Sequence, residues 1–170
     1  HQFLTDTGWK ARMRLMPEQD YLVATRQVDY EGQDILTLDQ CVTIAGIVTE
    51  GYFPETGGNT TFVNYDSMMM EKFCQHATTA FGESISVNKS DARVVNIKTK
   101  HQKMLCQWGL KRGLSANRVL PEAMMGATKE TTRKFLSFIL AAEGGLTESS
   151  GQFEFSSKSR EFATQVKLLL

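Results

Sequence analysis

Glu50 and Glu143, 93 residues apart, each close an apolar helical segment in the same way. In residues 38–51, Leu38, Cys41, Ile44, Ala45 and Val48 recur at helical spacing, Asp39 lies in the first turn and Gly51 ends the run. In residues 128–144, Thr128 stands at the cap position, Phe135, Phe138, Ile139 and Ala142 form the apolar stripe, and Gly144 ends it. Each helix carries a carboxylate into its last turn and then releases the chain through glycine into a strand. The C-terminal end of a helix carries partial negative charge, so an acid there costs ~0.3–1 kcal/mol. Something is therefore expected to compensate this cost.

Small residues run along the same helices, Ala45, Gly46 and Thr49 in the first and Ser137, Ala141 and Ala142 in the second. Such faces let helix backbones approach closely. Packed together, the two helices bring Glu50 and Glu143 near each other, an oxygen-only pair suited to Mg²⁺. Beside nucleic-acid phosphates, that pair is the machinery of metal-assisted phosphodiester hydrolysis.

The intervening sequence predicts a mixed α+β chain. Residues 60–65 alternate as a strand, Asp66 caps a helix running through Met69, Phe73 and Ala77 to Gly82, and residues 85–88 and 93–100 read as two further strands. A helix over residues 101–110 and a short one after Pro121 come next. Beyond the second glutamate lies a hairpin with Phe153 and Phe155 inward and Gln152, Glu154 and Ser156 outward, then a helix over 159–170. The order helix, hairpin, helix thus occurs twice, and the second pass stops early. Residues 1–36 read instead as short strands, at Phe3 and Leu4, at Gly8 and Trp9, and over 20–25.

Charge divides these regions. The chain has 19 basic and 19 acidic residues, which excludes a uniformly basic nucleic-acid binder. Residues 85–118, however, hold eight bases and one acid, interleaved with Asn88, Asn96, His101, Gln102, Gln107 and Trp108, side chains that hydrogen-bond or stack on a polyanion. Three widely spaced cysteines, Cys41, Cys74 and Cys106, suit neither a disulfide framework nor a clustered metal site. No apolar run spans a membrane and no signal-peptide layout opens the chain, so a soluble, unexported protein is expected.

The two endings carry a family resemblance. AGIVTEGY (residues 45–52) resembles the first motif copy of the LAGLIDADG homing endonucleases, and FLSFILAAEGGL (135–146) the second, with Glu50 and Glu143 at the catalytic acid positions. NRVLP (117–121) and ATKE (127–130) are similar to the run before the second motif in intein-encoded members, and FSSKSRE (155–161) with QVKLL (165–169) to the strand and helix after that motif. The resemblance covers residues 36–170, with the motifs near 43–51 and 136–144. At residues 1–35, HQFLTDTGW (1–9) and LMPEQDYLVA (15–24) resemble the end of an intein's N-terminal splicing (Hint) region, and His1 corresponds to the histidine that polarises the scissile amide there.

The resemblance implies a LAGLIDADG-type fold of two αββ-type halves, the second truncated, preceded by a short β segment. Motif helices form the central interface and two sheets straddle the major groove. Glu50 and Glu143 are then the catalytic, metal-binding acids, with Mg²⁺ or Mn²⁺ as cofactor. Alternation along the strands selects Thr60, Asn64, Ser86, Asn88, Asn96, Lys98, Gln152, Glu154 and Ser156 as groove-facing, and Lys89, Arg93, Lys100 and Lys158 as nearer phosphates. The implied partners are double-stranded DNA and the host protein flanking the intein, with no membrane and a monomer of internal pseudo-two-fold symmetry.

This sequence departs from the family pattern in three places. Phe138 stands where members often have glycine, which predicts looser helix packing. Both acids are Glu rather than Asp, which moves the metal site, and the second half lacks its remaining strands. The splicing nucleophile and the terminal His-Asn pair are absent, so the chain reads as an internal piece of an intein. Two other readings stay open, a non-cleaving nucleic-acid-binding module of the same fold, maturase-like or regulatory, and a plain α+β interaction domain.

Overall fold

The computed structural model describes residues 2–22, 31–147 and 151–170. The chain divides into two compact units, His1–Glu31 and Gly32–Leu170. In the first, β1 (Gln2–Thr5) and β2 (Gly8–Ala11) form an antiparallel hairpin with Leu4 opposite Trp9, turned by Gly8 at φ 113°. The Lys10 ammonium pairs with Asp20, whose second carboxylate oxygen accepts from the Met16 amide. Of the strand expected over 20–25, Leu22 makes an isolated bridge to Thr5 and residues 23–25 lie outside the described residues, as does His1.

The expected boundary, after residue 35, falls inside the second unit because Asp34 is bonded into it. Its carboxylate accepts from the Thr128 amide and from the hydroxyls of Thr128 and Thr131, 2.9 Å each, and the Gln33 amide donates to the Gly126 carbonyl. Asp34 thereby adds a carboxylate to the start of the helix that Thr128 caps.

The second unit is α+β. Its centre is α1 (Leu38–Glu50), opened by a reciprocal capping box between Thr37 and Gln40. Every residue from Cys41 to Thr49 is buried, so this helix is covered on all sides. Along it packs α5 (Lys129–Glu143), capped by Thr128 as expected, and against another face packs α2 (Ser67–Phe81), capped by Asp66 and ended by Gly82 at φ 65°. After α1 the chain forms β3 (Gly51–Tyr52) and β4 (Thr60–Val63), and β5 (Val94–Ile97) completes an antiparallel sheet in the order β3-β4-β5. After α5 come β6 (Gly144–Thr147), β7 (Gln152–Phe155) and α6 (Arg160–Leu169), while α3 (Gln102–Gln107) and α4 (Glu122–Met125) connect the halves. Helix, hairpin, helix therefore occurs twice.

At both helix ends the chain turns directly into extended backbone, with ψ of 165° at Gly51 and 153° at Gly144. A Cβ at Gly51 would lie 2.6 Å from the Ile47 carbonyl oxygen, and one at Gly144 would overlap the Leu140 carbonyl and the Phe153 ring. Only glycine makes this immediate turn, which is why the Glu-Gly pair repeats.

Four expectations are corrected. Gly46 does not face α5: it faces the ring of Phe73 on α2, which stacks on Phe62 at 4.1 Å. Phe138, expected to loosen the helix pair, is buried with its ring 6.3 Å from that of Phe62, filling space beside the paired helices. Phe153 is 56% exposed, while Phe155 is half-buried, edge-on to Phe162. The strand expected over 85–88 shrinks to one bridge, Val87 to Val95, because the Ile85 amide and carbonyl are both taken by the Thr78 hydroxyl.

Candidate active site

The compensating charge demanded by two acid-ended helices comes from Arg118. Its guanidinium donates to the carbonyl oxygens of Thr49 and Gly51, at the open end of α1, and stands 3.7 Å from Glu143 Oε1 at the end of α5. One side chain thus ties both helix termini together, satisfying orphan carbonyls of one and pairing the acid of the other. The side chains of Arg118 and Glu143 are each 19% exposed, so the pair is largely withdrawn from water.

Arg118 is held in turn by α6. Ser159 caps α6 by accepting from the Phe162 amide and donates its hydroxyl proton to the Arg118 carbonyl at 2.6 Å. The Gln165 side chain accepts from the Leu120 amide at 2.7 Å. The last helix therefore fixes the segment that carries the arginine, just before the turn into α4.

The three charges sense one another. Burial pushes the Glu50 and Glu143 carboxyls above the ordinary value, Arg118 pulls both back, and Glu50 pushes Glu143 further up. Burial lowers the Arg118 guanidinium, opposed by both acids. Beside Glu143 opens a cleft of about 580 Å³ lined by Ser115, Arg118, Ser156, Ser157 and Lys158, and another of about 610 Å³ lined by Gly144, Gly145, Phe153, Glu154 and Phe155. Glu143 thus lines both clefts.

The donor set suits a hard divalent cation, since both acids offer only oxygen. Among the described residues no cluster of three or more His, Cys, Asp or Glu is gathered, so such an ion would take its remaining ligands from phosphate and water. The three cysteines are free, and burial pushes the Cys41 thiol up to about 12.

No family model and no curated protein matches this chain. The reading of the site therefore rests on its geometry.

The candidate DNA contacts separate into groups. Thr60 is wholly buried beside Phe62 and is corrected to a core residue. Thr60, Phe62 and Asn64 share one parity, and burying Phe62 turns Thr60 inward with it. The outward row runs through Tyr52, Thr61 and Asn96, which are direct cross-strand neighbours. Sequence alternation overlooks Tyr52 (52% exposed) and Thr61, although Phe62 itself is the signal for them. Asn64 and Asn88 are turn formers, accepting from the Asp66 amide and from the Ser90 amide and hydroxyl.

The basic residues are similarly sorted. Arg93 is exposed, forked on Asp91 at 2.9 and 2.8 Å and lying over the Tyr65 ring. Lys98, Lys100 and His101 all converge on Glu83, holding its carboxyl down at about 2 through hydrogen bonds from His101 and Lys100. Ser86 and Lys89 are placed on the segment before β5, both exposed. In the second half Gln152 is exposed, Glu154 accepts from the Thr147 hydroxyl at 3.0 Å, and exposed Ser156 and Lys158 line the cleft beside Glu143. Among the described residues no helix is long and apolar enough to cross a membrane.

Proposed function

We propose that this chain is a site-specific double-strand DNA endonuclease of the LAGLIDADG type lodged within an intein, preceded by the end of a Hint-type splicing region. The observation that carries the reading is the convergence of two acid-ended helices, α1 and α5, on one arginine, each passing through glycine into an antiparallel hairpin. In this reading the hairpins β3-β4 and β6-β7 form the two arms over the major groove, related by an internal pseudo-two-fold, and double-stranded DNA is the partner. The host protein flanks the intein.

Glu50 and Glu143 would hold Mg²⁺ or Mn²⁺, which activates a water and stabilises charge on the phosphate. The protein's own groups do the rest. Arg118 fixes the helix ends and supplies positive charge at the acids. Asn96, Thr61 and Tyr52 offer hydrogen bonds and a ring on the outward sheet face, and Lys158, Ser156 and Ser157 offer donors to phosphate oxygens next to Glu143. The test is Mg²⁺-dependent cleavage of a plasmid carrying the uninterrupted host gene. Cleavage abolished by Glu50→Gln and by Glu143→Gln is expected, and cleavage unchanged by both variants overturns the assignment.

One observation favours a second reading, a non-cleaving nucleic-acid-binding module of the same fold. Arg118 already neutralises part of the acid pair, leaving a weaker claim on a divalent cation. That reading predicts salt-dependent DNA or RNA binding with no nicking in Mg²⁺.

A further inference from the structure

We infer that the Arg118 guanidinium is a resident cation of the acid pair, which a divalent metal must displace from Glu143 to bind. The inference rests on the metal-binding reading of Glu50 and Glu143 and adds a regulatory element to it.

Three contacts support it. A guanidinium between the ends of α1 and α5 sits where an incoming metal ion would be drawn, and it pairs with Glu143 at 3.7 Å. The same group occupies the Thr49 and Gly51 carbonyl oxygens, the nearest backbone acceptors to Glu50 along the chain and natural ligands for a hard cation. Its backbone is anchored independently, through Ser159 on the Arg118 carbonyl and Gln165 on the Leu120 amide. The side chain can therefore leave Glu143 without unfolding the segment that bears it. The cleft lined by Ser115, Ser156, Ser157 and Lys158 opens directly beside this pair and gives the guanidinium room to move. There it would meet the phosphate whose approach brings the metal, so that binding nucleic acid and releasing the acids become one event.

The competition is electrostatic and specific to position. Removing a charge in contact with the acids in a poorly solvated site strengthens their hold on a cation far more than removing an exposed, screened charge nearby. Lys158 lines the same cleft but is exposed, which makes it the control.

The test is Mn²⁺ titration of the whole chain, read by electron paramagnetic resonance of free Mn²⁺ in the absence of DNA. Arg118→Gln is expected to tighten Mn²⁺ binding by about tenfold, Lys158→Gln to change it less than about twofold, and Arg118→Lys to stay near wild type. Should Arg118→Gln fail to fold, nitrogen resonances of the wild-type arginine side chains decide the matter. Mg²⁺ is expected to shift those of Arg118 and leave those of Arg93, forked on Asp91, in place. Mn²⁺ binding that is lost in Glu143→Gln but indifferent to Arg118→Gln overturns the inference alone, as does an Arg118 signal unmoved at metal saturation. Absence of Mn²⁺ binding in every variant overturns it together with the metal-binding reading.

Discussion

Arg118 and Glu143 meet at 3.7 Å at the one point where the ends of α1 and α5 converge. The arginine comes from the connection between the halves and the glutamate from the second helix, and with the Thr49 and Gly51 carbonyls of the first helix end the guanidinium joins three separate parts of the second unit. Two acids at two helix C-termini would repel each other and the helix ends. A single guanidinium, bonded to the carbonyls of one helix and facing the acid of the other, offsets part of that cost.

Burial dominates the titration of Glu143 and raises it above its ordinary 4.5, so the folded protein binds this proton more tightly than the unfolded chain. The associated stability is complete below 4.5 and is lost as pH rises through the raised value. Glu143→Gln removes the cost of the buried charge. Its melting temperature should exceed that of wild type at pH 7, and the difference should vanish below about pH 4.5 in parallel thermal scans.

Gly46→Ala tests the packing of α1 on α2. Alanine gains about 1 kcal/mol in helix propensity. Its Cβ, however, would lie 2.5 Å from Cε2 of Phe73, whose fully buried ring is stacked on Phe62 and has nowhere to retreat. Overpacking of this kind costs about 1–3 kcal/mol and outweighs the propensity gain. Urea unfolding should show a net loss of stability.

Thr60→Val distinguishes a core residue from a DNA contact. The Thr60 hydroxyl is buried and finds no hydrogen-bond partner among the described residues. Replacing it with a methyl group of similar shape should hold stability or raise it by about 1 kcal/mol. DNA affinity should be unchanged, whereas Asn96→Ala, on the outward face, should weaken binding in the same gel-shift assay.

Glu83 gathers Lys98, Lys100 and His101, and its carboxyl is held down at about 2. Such a group contributes stability above its unfolded value of 4.5 and loses that contribution as pH falls toward 2. Glu83→Gln should therefore be less stable than wild type at pH 7, with the gap closing in acid. The same substitution frees two lysines, so DNA binding should strengthen and its salt dependence steepen by about one to two charges.

Much of this is legible in the sequence because it is local. The capped starts of α2 and α5, their glycine ends, and the Glu-Gly repeat all arise from dihedral preferences and unsatisfied helix-terminal groups within a few residues. The demand for a compensating group at two acid-ended helices is also readable, since the helix dipole is a property of the helix itself. The identity of that group is not. Arg118 lies 25 residues before Glu143 and 68 after Glu50, and is one of eight bases in its window.

The tertiary structure alone decided the choices that depend on which faces meet. Spacing assigns Gly46 to α5, yet it serves Phe73, because three elements compete for the surface of a fully buried helix. Alternation by itself places Thr60 in the groove, yet it lies in the core, because burying Phe62 sets the strand's parity and one residue of register exchanges its two faces. The sequence by itself determined two glutamates at two glycine-turned helix ends. Only the packing of α1 against α5, with Arg118 pinned between them by α6, decided that these acids share one site, since a single cation at that depth requires chain segments distant in sequence to be fixed together.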